Sequence, residues 1–94
     1  MMKSIIQSNK ECFVCHSQRF LEVHHVLFGN KNHNPAEQYG LTVYLCPYCH
    51  RGNAGVHHNR DLDLKLKRIA EKAYLEHYDK TIDDFIAVFG RNYL

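Results

Sequence analysis

The sequence has no apolar run long enough to cross a bilayer, and its opening stretch, MMKSIIQSNKE, holds only the pairs Met1–Met2 and Ile5–Ile6 among polar and charged neighbours. A spanning helix needs about 20 consecutive apolar residues and a secretory leader an apolar centre of at least about 7. The chain is therefore expected to have no membrane anchor or leader and to work in the cytoplasm. Net charge is also scarce: 12 Lys and Arg against 10 Asp and Glu leave +2, too little for a strongly basic tail or arm. The charge is uneven, since residues 1–60 carry six basic and three acidic side chains and residues 61–94 carry six and seven. Internal repeats and low-complexity segments are absent. At 94 residues the chain is expected to form one domain, 1–94, and a domain this small often needs a constraint beyond its core.

Four cysteines supply such a constraint. They fall as two pairs, Cys12-x-x-Cys15 and Cys46-x-x-Cys49, with residues 16–45 between them. In a reducing compartment paired CxxC motifs read as ligands of a tetrahedral structural zinc, with a disulfide or redox pair as the alternative. The spacer exceeds the ~15–20 residues of common four-cysteine ribbons, so an insertion lies between the two knuckles. Residues 20–26 (FLEVHHV) and 41–46 (LTVYLC) read as strands, and the Gly-, Asn- and Pro-rich stretch 29–40 as the loop between them. The two glycines of HRGNAGVHHN argue against one uninterrupted helix after Cys49.

Beyond that point the periodicity is helical. Leu62, Leu66, Ile69, Ala70, Ala73, Tyr74 and His77 recur at three- and four-residue spacing, with Asn59 or Asp61 as the cap. A last helix is expected after Thr81, with Asp84 three residues on, Ile82, Phe85, Ile86 and Phe89 as its buried face, and Gly90 as its stop. These stripes read as core.

Adjacent histidines in a strand point to opposite faces, so His24 and His25 are poorly placed to grip one ion together and are expected to have different tasks. CxxC, EVHHV, a loop, a second strand and then LCPYCH follow one another in an order that resembles the HNH, or ββα-metal, nuclease family, in particular its small phage-encoded members with a four-cysteine zinc. The resemblance covers Cys12 to Asn59, about half the chain. It implies an α+β fold: a zinc-stabilised ββα-metal hairpin and helix over 12–59, with 60–94 as a helical C-terminal extension. Cys12, Cys15, Cys46 and Cys49 would hold the structural zinc. His24 would ligate a catalytic divalent metal (Mg²⁺, Mn²⁺, Ni²⁺, Co²⁺ or Zn²⁺), and His25 would be the general base. His50 would be the second ligand, and His57 would complete the shell or donate to the phosphate, with His58 as its substitute.

The division of labour is chemically sensible. A neutral imidazole accepts a proton from water near its ordinary pKa of ~6.5, but not through a nitrogen tied up on a metal. An all-histidine set leans away from Mg²⁺. Lys31, Arg51 and Arg60 flank the site and could hold backbone phosphates; the bland reading makes them solvating charges. For the histidines the bland reading is packing or backbone contact. His16 is an alternative zinc ligand, His33 is expected to be solvated, and His77 partly buried.

One departure stands out. The Asn that lies near the start of the family's second strand has no counterpart in YGLTVYL, leaving Asn30, Asn32, Asn34 or a backbone carbonyl to orient His25. The resulting expectation is a metal-dependent endonuclease acting on duplex or branched DNA with low sequence specificity, in a host cytoplasm if phage-encoded, leaving 5′-phosphate and 3′-hydroxyl ends. Its rivals are a non-catalytic zinc-stabilised nucleic-acid-binding module and a protein-interaction adaptor whose C-terminal FIAVFGRNYL forms a homodimer seam or meets a phage protein.

Overall fold

The computed structural model describes residues 3–29 and 32–94. Along the chain come β1 (Glu22–His25), α1 (His33–Gln38), β2 (Thr42–Leu45), α2 (Pro47–Arg51), α3 (Arg60–Tyr78) and α4 (Ile82–Phe89). β1 and β2 form an antiparallel pair with His24 opposite Val43 and His25 opposite Thr42. The architecture is thus α+β, a small two-stranded sheet with helices packed on it. Both strands are shorter than the runs 20–26 and 41–46. Phe20 adopts a left-handed φ of 55° and is 82 % exposed, so pairing starts only at Glu22. At the other end Val26 and Leu27 are both buried, which breaks the alternation a strand requires.

The connection expected as a loop over 29–40 contains α1, which corrects that expectation. Asn32 stands at the helix N-cap, and Pro35 falls in the first turn, where a missing N–H breaks no intrahelical bond. Ala36 is fully buried, so the core holds a segment whose composition favours turns. Gly40 closes it at φ +73°; a Cβ there would sit 2.6 Å from the carbonyl oxygen of Lys3. Asn30 and Lys31, two sequence candidates for site roles, lie outside the described residues.

The N-terminal segment runs along the outer edge of β2. The Phe13 N–H donates to the Tyr44 carbonyl at 2.8 Å, the Tyr44 N–H donates to Gln7 Oε1 at 2.8 Å, and the Ser4 hydroxyl donates to the Thr42 carbonyl. An edge that would otherwise present free backbone groups is thereby satisfied.

Asn59 caps α3, its side chain accepting from the Leu62 N–H at 3.1 Å. Thr81 and Asp84 form a reciprocal capping box on α4, and Gly90 ends that helix at φ +90°. Leu66, Ala70 and Tyr74 of α3 join Phe85 and Phe89 of α4 and the hairpin residues Val43 and Leu45 in one core. Tyr78 Oη donates to the Tyr39 carbonyl at 2.8 Å, tying α3 to the turn after α1.

Two expectations about these faces need correction. Ile82 and Ile86 are exposed, because the single ridge Phe85–Phe89 makes the contact of this two-turn helix. His77 is exposed as well. On α3 the buried set instead includes Asp63, paired with Lys67 at 2.9 Å, and Glu71, which accepts the Tyr93 N–H at 2.7 Å. No helix among the described residues is long and apolar enough to cross a membrane.

Candidate metal centres

Two clusters of ligating side chains form on the hairpin. The first joins the knuckles. After Cys12 the chain turns tightly: the Cys12 N–H donates to the Ser17 carbonyl at 2.8 Å, and the Cys15 N–H points at Cys12 Sγ at 3.5 Å. Cys46 caps α2, Pro47 opens it, and Cys49 lies one turn on, so both sulfurs fall on the same side. The four sulfur atoms all lie within 4.8 Å of one another, with Cys15 Sγ and Cys46 Sγ 3.6 Å apart. A tetrahedral Zn²⁺ with ~2.3 Å bonds sets its sulfurs about 3.8 Å apart, so the cluster fits a structural zinc. None of the four is in a disulfide.

Burial acts to raise the Cys12 thiol, but hydrogen bonds from the backbone of Cys15, Cys46 and Val14 outweigh it and bring the pKa to about 6. Burial and then the neighbouring sulfurs of Cys46, Cys12 and Cys15 push Cys49 up. A dication among the sulfurs relieves that crowding. His16, the alternative ligand, pairs with Glu11 instead.

The second cluster is His24, His50 and His57, whose ligating nitrogens also lie within 4.8 Å of one another. Each comes from a different element. His24 is on the inner face of β1 and 2 % exposed, His50 is in the last turn of α2, and His57 follows the turns after it. Gly55 makes the return possible. Its N–H donates to the Gly52 carbonyl, the next N–H, of Val56, donates to the Cys49 carbonyl, and a Cβ at Gly55 would lie 2.8 Å from the Tyr48 carbonyl oxygen. His57 is thus folded back over α2, its Nε2 3.1 Å from His50 Nε2. His24 stacks edge-on to both rings, with centroids 5.1 and 5.2 Å away.

His24 Nε2 is buried and has no hydrogen-bond partner among the described residues. Burial first, then the facing His50 and His57, hold its pKa at about 3, so the ring stays neutral with a lone pair to offer. His57 is lowered for the same two reasons. His50 Nδ1 lies 2.7 Å from Glu22 Oε1. A carboxylate there holds the proton on Nδ1 and leaves Nε2 free to ligate. Glu22 in turn is held below the usual carboxylate range, first by His50 and then by Arg51. The orphaned nitrogen, the fixed tautomer and the convergence fit a divalent ion that accepts imidazole.

His25 is not part of this cluster. Its ring faces α1, stacked on His33 with centroids 3.8 Å apart, and its Nε2 is 3.5 Å from Glu37 Oε1. Burial, then His33, lower its pKa, with Glu37 acting in the opposite sense. His24 and His25 thus meet different neighbours on the two faces of β1, and His33, exposed to solvent, also stacks on His25. Arg51 is engaged with Glu22, Nε at 3.1 Å and Nη2 at 2.5 Å, which occupies much of the fork offered for phosphate. Arg60 opens α3 beside His57, lining a cavity with Phe28, His58 and Asp63. His58 lines that cavity but stays outside the histidine cluster.

Glu22 went unnoticed in the sequence although it stands two residues before His24, on the same face of β1. Glu37 and His33 had no such signal, because their segment read as a loop. No family model matches the chain, and no curated protein and no solved structure matches it either.

Proposed function

We propose that the protein is a metal-dependent endonuclease that hydrolyses DNA phosphodiester bonds at the His24–His50–His57 site, in the manner of the HNH nucleases its motifs resemble. One observation carries the reading: His24, whose Nε2 is buried and unpartnered, brings a ligating nitrogen within 4.8 Å of those of His50 and His57, whose Nε2 atoms are 3.1 Å apart. His50 and His57 hydrogen-bond each other through Nε2, but the buried His24 Nε2 is left unsatisfied, which is unfavourable. A divalent ion held by the three rings would satisfy it.

When bound, that ion supplies Lewis-acid polarisation of a phosphoryl oxygen and steadies charge on the leaving oxygen. His24, neutral throughout the physiological range, and His50, locked by Glu22, would hold the ion from β1 and α2. His57, folded back over α2, would complete the shell. His25, at the end of the same strand, takes a proton from water; the water oxygen bonds to phosphorus, the P–O3′ bond breaks, and the 3′ oxygen takes its proton from solvent. Arg60, which lines a cavity with His57, would pair with a flanking phosphate. The four-cysteine zinc has no part in this chemistry and fixes the knuckle from which α2 starts.

The non-catalytic binding module is favoured by one observation, that His25 Nε2 is buried against α1. Nicking of supercoiled plasmid by wild type and His25→Ala, across Mg²⁺, Mn²⁺, Ni²⁺ and Co²⁺, separates the two. Metal-dependent nicking that the variant loses, at equal zinc content, is the expected result. No nicking by the wild type on plasmid or branched DNA, together with salt-sensitive DNA binding, would leave the binding module.

A further inference from the structure

We infer that Glu37, on α1, is the positioning residue for His25, a role that rests on reading His25 as the general base. Three observations bear on it. The His25 ring is clamped on the α1 side: His33 stacks on it at 3.8 Å with the ring planes 33° apart, and Glu37 Oε1 is 3.5 Å from Nε2. His33 and Glu37 are four residues apart on one helix, so a single face of α1 presents both groups. Finally, His25 Nε2 is buried and has no hydrogen-bond partner among the described residues. That nitrogen is closed to a substrate, and the carboxylate is the acceptor that faces it.

A base needs one lone pair in a fixed direction, and a neutral imidazole has two tautomers to choose from. With its hydrogen on Nε2, turned to Glu37, the lone pair is left on Nδ1. Without Glu37 the proton is free to sit on either nitrogen and the ring is held by stacking alone. The 3.5 Å separation is longer than a formed hydrogen bond, and catalytic contacts of this kind commonly tighten once substrate is in place.

The helix is a firm mount despite its length. Its Ala36 is fully buried, the Ala36 carbonyl accepts from the Leu41 N–H at 2.8 Å, and the Tyr39 carbonyl accepts from Tyr78 Oη. Glu37 itself is 41 % exposed at the side chain, so its replacement leaves the core untouched.

The test uses the zinc-loaded full chain, wild type, Glu37→Ala and Glu37→Gln. Nitrogen-15 NMR of the His25 ring near neutral pH reads the tautomer, and plasmid nicking gives kcat and KM. Wild type is expected to carry its hydrogen on Nε2. Glu37→Ala is expected to show mixed tautomers and a kcat about ten- to a hundredfold lower, the range for a lost outer partner of a functional histidine. KM, melting temperature and zinc content should be unchanged. Glu37→Gln, whose amide oxygen still accepts, should keep the tautomer and recover most of the rate. Wild-type tautomer and rate in Glu37→Ala, with His25→Ala inactive, would overturn the role of Glu37 and leave His25 as the base. Full activity in His25→Ala would remove the base itself, and the inference with it.

Discussion

His24 sits 2 % exposed in β1 with its pKa held at about 3, first by burial and then by the facing His50 and His57, with His25 and Lys67 adding to the effect. The unfolded chain returns it to ~6.5. Between those values the unfolded state binds a proton that the folded state refuses. Stability is therefore complete above the unfolded value and falls as pH drops, by about 1.4 kcal/mol per unit for this group alone. His24→Phe removes the proton site and keeps an apolar ring against Phe28. In urea unfolding from pH 6 to pH 4 the wild type is expected to lose about that much more per unit than the variant; parallel curves would contradict it. Glu22 offers a second residue-level prediction. Glu22→Ala leaves His50 Nδ1 without its acceptor, and the affinity of the histidine cluster for Mn²⁺ or Ni²⁺ should fall about ten- to a hundredfold by titration calorimetry, with bound zinc unchanged.

Elements differ in how plainly the sequence declares them. α3 and α4 were legible to their caps, because Asn59, Thr81, Asp84 and Gly90 act through bonds within a few residues. Thr81→Ala, which removes the capping box on an exposed end, should destabilise the fold by about 1 kcal/mol in chemical denaturation and leave metal binding intact. α1 was not legible. Its residues His33–Gln38 favour turns, and it stands on tertiary contacts: the burial of Ala36, and Tyr78 reaching the Tyr39 carbonyl from thirty-nine residues away. That miss hid Glu37. The inner turn of α4 was half legible, since spacing marks Ile82 and Ile86 as readily as Phe85 and Phe89, and only packing against Tyr74 selects the second pair. The histidine cluster joins β1, α2 and the turns that follow; its members were legible only through the family resemblance, and the close return at Gly55 brings His57, and not His58, to it.

For the whole molecule, the cysteine and histidine clusters are coupled through the chain. The second knuckle is also the start of α2, so the sulfur cluster sets where His50 and, through Gly55, His57 stand. Removing the zinc with a chelator should abolish the cooperative unfolding transition and, with it, divalent binding at the histidines; circular dichroism and calorimetry on one sample check both. A chain of 94 residues has little core to spare for an independent second scaffold.

The central claim is that the histidine cluster takes a catalytic ion distinct from the zinc. It is tested most directly by titrating Mn²⁺ into the zinc-loaded protein while following bound metal and plasmid nicking together, for wild type and His24→Phe. One added equivalent per chain should bind, nicking should rise along the same curve, and both should vanish in the variant. Nicking that precedes or ignores the second equivalent, or a second equivalent that binds without any nicking, would contradict the account.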